Sequence, residues 1–545
     1  MLLGFIGVML VMTSSVSDPV LHRGVETGEE IPYVHQNTGR ELAVNVDLTR
    51  FNPTQIDSVL ATLQTSGFVY LRQPISWATI EPTQGNFDWT QLDAIFEHAS
   101  ARGMQIMATI ENTPDWARRA SERGYADAAP SDPQTLAAFT TALVQRYGAR
   151  LPFVQFYDRP NLPERWGGST PSPSEYVQLM AAANSAARGA NAEVKVLLAE
   201  MDPRGASGEI GDDFNFIRQV YAVGGAPFFD IVSLQLDGGT HSPSDRSISE
   251  SDLNLSRAIA LRELMIEQGD RAKAIWATRY GWAASASLSN EDAASYLLEG
   301  IQRAREEWPW MGPMFGWSLI PEDPWGSYSL LNADGTAKPQ FEKLASFGAS
   351  GAPLIAATGY APMLSRAVDY SGSWNEQHLN GLVYQTSSET GATMTLHFSG
   401  TGIDAILRES PDAGILRATL DGKPLPGNFP VEDGVSIIDL EWYQAQDIRS
   451  SLASGLSDGE HVLVLSLADQ GSVTVGGLIV TRRLPMVWPI ILLAVAGLIL
   501  LIAGFRDVIY LVAQRWGHLD RPTTAHAIPS WGHFSERWTG RWSGR

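Results

Sequence analysis

The sequence predicts an α/β fold in which most of the chain forms a closed parallel (β/α)8 barrel, the TIM barrel. Three observations lead to this prediction. Short apolar segments with the character of strands recur eight times between residues 40 and 320. Segments with helical periodicity fall between them, and several end in glycine, as helices often do. Eight strand–helix units make a barrel, whereas a doubly wound sheet is the alternative.

The strand candidates share short runs of apolar and β-branched residues. They lie at 42–47, 68–73, 104–111, 153–158, 194–200, 229–237, 273–279 and 314–320. The helix candidates carry apolar residues three or four positions apart, as Ile56, Leu60 and Leu63 do. They lie at 54–67, 92–103, 174–189, 256–269 and 292–307. This alternation places the barrel at residues 35–348.

After residue 355 the pattern changes to alternating apolar and polar residues. The pairs Asp421-Gly422 and Asp458-Gly459 have the composition of hairpin turns. The pattern predicts an antiparallel β-sandwich at residues 355–483. Small residues at 348–353, GASGAP, predict a flexible link between the two domains.

Apolar segments near both ends of the chain predict export and membrane attachment. Residues 1–17 contain an apolar run that is short for a membrane span and suits a signal peptide. Residues 486–505 carry no charge and are long enough to cross a hydrocarbon core about 30 Å thick. Residues 506–545 hold six arginines and three carboxylates, which favours the cytoplasmic side. We expect a single-pass protein of the cell membrane, with the barrel and sandwich outside and the tail in the cytoplasm.

The composition excludes several classes of function. The net charge of −21 argues against nucleic acid as a partner, since phosphate binding needs a basic surface. The absence of cysteine excludes disulfides, thiolate metal sites and a cysteine nucleophile. We expect neither a metal nor a cofactor.

The candidate site lies at the carboxyl ends of the predicted strands, where barrels place their functional groups. Tryptophans, arginines and carboxylates are concentrated there. This combination suits a carbohydrate, because the faces of a pyranose ring are apolar and its hydroxyl groups need donors and acceptors. The candidate ligand-binding residues are Arg72, Trp77, Asp158, Arg159, Trp166, Gln235, Arg279, Trp282 and Trp317.

Five segments in order resemble the strand-end motifs of clan-A glycoside hydrolases, the superfamily of cellulase-like and xylosidase-like barrels. They are SWATIEPTQGNFDWTQLD (76–93), ATIENTPDWA (108–117), YDRPNLPERW (157–166), AIWATRYGW (274–282) and MFGWSLIPED (314–323). The resemblance covers about residues 40–348 and implies a barrel that binds carbohydrate. Residues 398–425 and 454–467 are similar to the galactose-binding-like sandwiches appended to surface glycosidases, whose family role is carbohydrate binding.

The chain departs from this family where the family's catalytic residues stand. The strand-4 glutamate, the family's acid/base, corresponds to Arg159, and the strand-7 nucleophile corresponds to Arg279, whereas Arg72 matches the family pattern. Retaining hydrolysis needs two carboxyl groups about 5–5.5 Å apart. A guanidinium keeps its proton and can be neither acid/base nor nucleophile. The resemblance therefore implies a catalytically degenerate barrel, a pseudoenzyme that binds carbohydrate.

Two further functions stay open. The chain is alternatively an active O-glycosyl hydrolase with relocated carboxylates, for which Glu111, Glu200 and Asp237 are the candidates. It is alternatively a surface protein with a signalling or structural role. Asp158 is the less suitable substitute, because successive residues of a strand point to opposite faces.

If Arg159 and Arg279 lie close together in space, their positive charges repel each other and need anions nearby. Salt bridges from Asp158, Glu200 or Asp237 would supply them and close the pocket. An acidic glycan held by bidentate contacts is the other possibility.

Overall fold

The structure is a computed structural model that describes residues 5–12, 23–29, 41–322, 326–349, 354–379, 382–468, 471–483 and 488–515. The chain divides into a central unit, Gly24–Leu484, and a terminal unit made of Met1–Arg23 and Pro485–Arg545.

The first part of the central unit is a closed barrel of eight parallel strands, which confirms the predicted fold class. Each strand pairs with the next, and the last pairs with the first. The strands are β1 (Leu42–Asn45), β2 (Phe68–Ser76), β3 (Gln105–Glu111), β4 (Phe153–Phe156), β5 (Lys195–Leu198), β6 (Ile231–Asp237), β7 (Ala274–Gly281) and β8 (Met311–Gly316).

Helices occupy every connection between these strands, and one more follows β8. They are α1 (Pro53–Thr65), α2 (Trp77–Ile80), α3 (Thr90–Ala101), α4 (Pro133–Tyr147), α5 (Pro173–Ala190), α6 (Asp212–Ala222), α7 (Arg257–Glu267), α8 (Asn290–Glu307) and α9 (Pro339–Gly348). Local sequence explains where they begin. Asn52 and Gln55 exchange side-chain-to-backbone hydrogen bonds of 3.0 Å, a capping box that starts α1.

Aromatic side chains fill the amino-terminal half of the barrel interior. The ring of Trp276 lies 5.8 Å from that of Tyr70, 4.6 Å from that of Phe153 and 5.9 Å from that of Phe315, measured between centroids. These rings are buried. Because this end of the barrel interior is packed, a ligand inside the barrel would enter at the carboxyl ends of the strands.

The second part of the central unit is an 11-stranded sheet of antiparallel strands, which confirms the antiparallel pairing that was predicted; the β-sandwich at residues 355–483 stays a prediction. Its strands are β9 (Gly359–Ala361), β10 (Val368–Ser371), β11 (Asn375–Leu379), β12 (Leu382–Ser387), β13 (Thr393–Glu409), β14 (Ile415–Leu420), β15 (Lys423–Pro424), β16 (Val431–Glu432), β17 (Val435–Asp439), β18 (Gln446–Leu467) and β19 (Val473–Thr481). The longest two, β13 and β18, pair along most of their length, with register shifts between Gly400 and Gly402 and between Ile403 and Asp404.

One of the two predicted hairpin turns is present. Leu420 pairs with Lys423, so that Asp421 and Gly422 form a two-residue turn in which both have positive φ. Asp458-Gly459 is not a turn between strands. It lies inside β18, where Gly459 pairs with Gly400.

A short segment at residues 24–29, which we call the strap, joins the barrel to the sheet. Glu26 accepts a hydrogen bond of 3.0 Å from Arg262 of α7, and its amide donates to the carbonyl of Glu307. Three residues later, the Glu29 carbonyl accepts from Arg449 of β18 at 2.8 Å. The strap therefore contacts both parts of the central unit.

The terminal unit contains helical residues 5–12 and helix α10 (Trp488–Arg515). Among the residues described, no helix has both the length and the apolar character needed to cross a membrane. The predicted transmembrane helix at 486–505 is therefore not supported. Residues 1–4 and 13–17 of the predicted signal segment and the tail beyond residue 515 lie outside the described residues.

Candidate functional site

A cavity of about 540 Å³ opens at the carboxyl ends of the barrel strands. This volume falls in the range of about 300–1,000 Å³ that ligand pockets occupy. Most of its walls come from strand ends and the loops that follow them. The lining residues are Asn45, Val46, Asp47, Arg72, Pro74, Thr109, Glu111, Asp158, Arg159, Leu162, Glu164, Arg165, Arg279, Trp317 and Glu322.

The end of β4 has an irregular backbone that brings two adjacent side chains into this cavity. The strand stops at Phe156, and Tyr157 and Arg159 then adopt positive φ angles of 64° and 50°. Strand alternation no longer applies there, so Asp158 and Arg159 both line the cavity. This corrects the expectation that Asp158 points to the other face.

Asp158 forms the centre of the site because its carboxylate accepts hydrogen bonds from three arginines. Arg72 donates at 2.7 Å, Arg279 donates two bonds at 3.0 and 2.9 Å, and Arg159 donates at 3.2 Å. The side chain of Asp158 is 3% exposed. Burial alone would raise its pKa, but the charges of Arg279, Arg72 and Arg159 outweigh burial and hold the pKa well below its usual range. Asp158 is therefore a carboxylate at all ordinary pH values.

Arg279 has a second anionic partner in Glu200. The two form a short ion pair, and the other Glu200 oxygen accepts from the Thr278 hydroxyl at 2.7 Å. Burial lowers the pKa of Arg279, whereas Asp158 and Glu200 raise it by more, so the pKa stands well above its usual range. Arg279 is thus a permanently charged and doubly paired cation.

Arg159 has a weaker second partner, Asp202, whose carboxylate lies 3.8 Å from Nη1. Three carboxylates, including Asp158 and Glu200, therefore balance the three arginines Arg72, Arg159 and Arg279. The salt bridges that the first of the two alternatives predicted are therefore present. They do not close the pocket, since the 540 Å³ cavity remains. The neutralised cluster offers little net charge for an acidic glycan.

Among the three candidate substitute carboxylates, Glu111 alone lines this cavity. Its Oε2 lies 3.6 Å from Nη1 of Arg165, which is paired with Asp127 at 2.6 Å. Burial, reinforced by the charge of Asp158, raises the pKa of Glu111 to about 7. Its carboxyl group therefore exchanges protons near neutral pH.

The other two candidates serve the packing of the strand ends. Glu200 is fully buried against Arg279 and Thr278. Asp237 accepts hydrogen bonds from the Tyr328 hydroxyl at 2.7 Å and the Gly239 amide at 2.9 Å. Neither is among the residues that line the cavity.

Sequence reasoning did not single out Glu322, which lies in the loop after β8 and lines the same cavity. Burial raises its pKa against the lowering effect of Arg279 and Arg72. Its only signal was its place at the end of the strand-8 segment MFGWSLIPED.

Four tryptophans were candidates, and only Trp317 lines the cavity. Its ring stacks on Tyr328 at 4.2 Å between centroids. The others are core residues with hydrogen-bond or ring partners of their own: Trp77 donates to Glu81, Trp282 donates to the His241 carbonyl, and Trp166 contacts Tyr157 and Tyr176. Of the aromatic mouth expected from the sequence, the described lining of the cavity therefore contains one ring, that of Trp317.

Among the buried polar atoms of the lining residues, the hydroxyl of Thr109, which is 1% exposed, and Nε of Arg72 have no hydrogen-bond partner among the described residues. Gln235, which pairs with Arg279 in the β6–β7 register, is also buried, and its Oε1 has no hydrogen-bond partner among the described residues. It does not line the cavity. Unpaired buried polar groups are rare in native folds and cost about 1–3 kcal/mol each. A polar ligand that pairs with Thr109 and Arg72 would recover that cost.

Comparison with known proteins connects this barrel with sugar chemistry. A family model described as β-galactosidase, of glycoside hydrolase family 42, matches residues 50–135. The barrel is glycoside-hydrolase-like. The match spans β2, which carries Pro74, and β3, which carries Thr109 and Glu111. No curated protein matches.

Solved structures with a similar arrangement include a family 39 glycoside hydrolase from the gut symbiont Bacteroides cellulosilyticus WH2. It is 15% identical, with a TM-score of 0.47, over 80% of this chain and 82% of that one. The intracellular xylanase TsXylA of Thermoanaerobacterium saccharolyticum is 16% identical over 57% of this chain and 95% of that one, with a TM-score of 0.40. The exo-β-1,4-mannosidase Op5Man5 from Opitutaceae bacterium strain TAV5 is 12% identical over 59% and 62%, with a TM-score of 0.41.

Proposed function

We propose that this protein binds a carbohydrate in the 540 Å³ cavity and does not hydrolyse it by the retaining mechanism of two glutamates. The observation that carries the proposal is the cluster around Asp158. It holds Arg159 and Arg279, which the sequence resemblance aligns with the two catalytic glutamates of the family.

The chemistry of the cluster supports the loss of that mechanism. One carboxyl group must give a proton to the leaving oxygen while the other attacks the anomeric carbon. Arg279 is held in its charged form by Asp158 and Glu200, and Arg159 donates to Asp158. Neither side chain has a lone pair to offer an anomeric carbon.

The same cavity retains groups that suit a sugar. Trp317 supplies apolar surface, and Thr109 and Arg72 supply unpaired polar atoms. Glu111, with its pKa of about 7, can donate or accept a hydrogen bond at neutral pH. A hydroxyl-rich ring can pair with all of these groups.

The test is sugar binding by the full chain, measured by calorimetry, beside turnover of a panel of aryl glycosides. We expect binding without turnover. Thr109→Val removes the unpaired hydroxyl at nearly constant shape and should weaken binding about 2- to 10-fold, the loss of one hydrogen bond.

Thr140→Val is the matched control. Thr140 is equally buried but lies in α4, where its hydroxyl donates to the Leu136 carbonyl at 2.8 Å. Its substitution should leave sugar affinity unchanged. Equal affinities of the wild type and Thr109→Val would show that the sugar does not occupy this cavity.

A second candidate function is hydrolysis through relocated carboxyl groups. The observation that favours it is the presence of Glu111 and Glu322 in one cavity, both with raised pKa. Turnover that disappears in Glu111→Gln but survives in Glu200→Gln would establish this function in place of the first.

The location outside the cell stays a proposal from the sequence, based on the segments at 1–17 and 486–505 and the basic residues at 506–545. Protease treatment of intact cells tests it. Cleavage of the barrel by an added protease is the expected result, and full protection would contradict it.

A further inference from the structure

A second cavity of about 480 Å³ lies beside the first, between the loop after β1 and the start of α3. One wall is formed by the loop residues Thr49 and Phe51 and by the start of α1. The other is formed by the end of β2 with α2. Gln91 of α3 donates to the Thr49 carbonyl at 2.7 Å and ties these elements together.

The two cavities share Asp47, Pro74 and Glu111 in their linings. We call these three residues the sill. The unpaired hydroxyl of Thr109 is close to it, because Thr109 pairs with Pro74 in the β2–β3 register and precedes Glu111 by two positions on β3. A ligand that pairs with Thr109 in the first cavity therefore sits next to the entrance of the second.

The second cavity combines the surfaces that a sugar ring needs. Phe51, Ile80 and Leu92 offer apolar contact, and Thr79 and Asn112 offer hydroxyl and amide groups. At 480 Å³ it is within the range of about 300–1,000 Å³ typical of ligand pockets. The pair of cavities therefore suits a chain of sugar units rather than a single ring.

The two cavities differ in charge. The first holds four arginines, whereas the charged side chains that line the second are all acidic: Asp47, Asp88 and Glu111. Asp88 accepts from the Thr90 amide at 3.0 Å, and its bonds to Thr90 lower its pKa and keep it ionised. The hydrogen bonds of Asp47 within the described residues all use Oδ1. A cationic group in the second cavity would meet the carboxylates of Asp47 and Asp88, whereas Glu111, with a pKa of about 7, lies beside Arg165 of the first cavity.

We propose that the ligand is an oligosaccharide that crosses the sill and carries a protonated amino group on the unit in the second cavity. It is thus an oligomer of an amino sugar. This inference rests on the proposed function and adds to it the length and the charge of the ligand.

The test compares glucosamine, protonated chitosan oligomers and the N-acetylated oligomers of equal length, each titrated into the full chain. We expect the chitosan oligomers to bind more tightly than either glucosamine or the acetylated oligomers. Added salt should weaken the binding of the charged oligomers and leave the neutral ones unaffected.

Asp88→Asn provides the site-specific arm. Asparagine can still accept from the Thr90 amide, so the fold should be kept while the charge is lost. Affinity for chitosan oligomers should fall about 2- to 5-fold, as for a solvent-screened ion pair, with no change for the acetylated oligomers. Asp334→Asn is the control, because Asp334 makes the same bonds to Thr336, at 3.0 Å from the amide, and lines neither cavity.

The outcomes separate the two proposals. Equal affinity for charged and acetylated oligomers, or no effect of Asp88→Asn, would overturn this inference and leave sugar binding intact. Binding of no sugar at all would overturn the proposed function, and this inference with it.

Discussion

Asp158→Asn is the substitution that most directly tests the arginine cluster. It changes one oxygen of the carboxylate into an NH2 group and removes one negative charge, with almost no change in shape. Arg72, Arg159 and Arg279 would then face a neutral side chain, and the new NH2 would point a donor at guanidinium donors.

The expected cost is large because the cluster is shielded from water. The side chains of Arg72, Arg159 and Arg279 are 7%, 12% and 11% exposed. Removing one partner of a buried ion pair costs about 3–5 kcal/mol. Arg279 keeps Glu200, and Arg159 keeps Asp202 at 3.8 Å, so we expect about 3 kcal/mol, the lower end of that range.

The pH dependence follows from the depressed pKa of Asp158. Such a group contributes its full stability above the pKa of an unfolded aspartate, about 3.9, and loses it as the pH falls through the folded value. Because the charge of Asp158 also raises the pKa of Glu111, the difference in the free energy of unfolding between wild type and Asp158→Asn should be constant only above about pH 8, where Glu111 is ionised in both proteins, whereas the part that comes from the titration of Asp158 itself should be constant from pH 5 upward. That part should shrink only below about pH 4.

Urea denaturation of the full chain, followed by tryptophan fluorescence, measures this difference. Asp93→Asn is the control, because Asp93 is also paired with an arginine, Arg146, but is 39% exposed. It should cost less than about 1 kcal/mol. If Asp158→Asn cost no more than Asp93→Asn, the cluster would not be the electrostatic core described above.

Three other substitutions test separate parts of the structure. The wild type should lose free energy of unfolding as the pH rises from about 4 to about 7, because the raised pKa of Glu111 favours its protonated form in the folded state. Glu111→Gln should abolish this loss. Parallel pH profiles of the free energy of unfolding for the two proteins would contradict the pKa of about 7. Asp213→Asn should cost about 3–5 kcal/mol in denaturation, since Asp213 and Arg257 are each 1% exposed and joined by two bonds of 2.6 Å; a cost below 1 kcal/mol would refute this. Glu26→Gln should speed amide hydrogen exchange in the strap, because it weakens the bond to Arg262. An unchanged exchange rate would show that the pair of Glu26 and Arg262 does not hold the strap in place.

The barrel could be predicted from the sequence because its signals are local and repeat. Each strand is a short apolar run, and each helix has its own periodicity and caps, so eight weak signals support one another. The meeting of Arg159 and Arg279 followed from the same reasoning. Both lie at the carboxyl end of a strand, and those ends converge in a barrel.

The tryptophans could not be sorted by the same reasoning. Trp77 starts the short helix α2 directly after β2, and its ring stacks on Phe139 of α4 at 5.3 Å between centroids. Whether a ring at a strand end turns toward the barrel axis or toward a neighbouring helix depends on the packing of helices far away in sequence. No local pattern carries that information.

The position of Asp158 was missed because of a backbone feature. Alternation along a strand holds only while the backbone stays extended, and the positive φ of Tyr157 and Arg159 breaks it. Residues other than glycine rarely adopt this conformation, so their identity gave no indication of it. Glu322 was missed because it lies in a loop after the last strand, where no periodicity ties it to the cavity.

The strap also determines when the chain can complete its fold. Glu29 and Arg483, whose side chains form an ion pair of 3.2 Å, are 454 positions apart in the sequence. Residues 24–29 are synthesised before the barrel, yet their partners Arg449 of β18 and Arg482 and Arg483, which follow β19, are synthesised after it. The barrel can close early, because its strands pair mostly with their neighbours in sequence. The strap, in contrast, cannot make its contacts with the sheet until the last strands of the sheet have been synthesised.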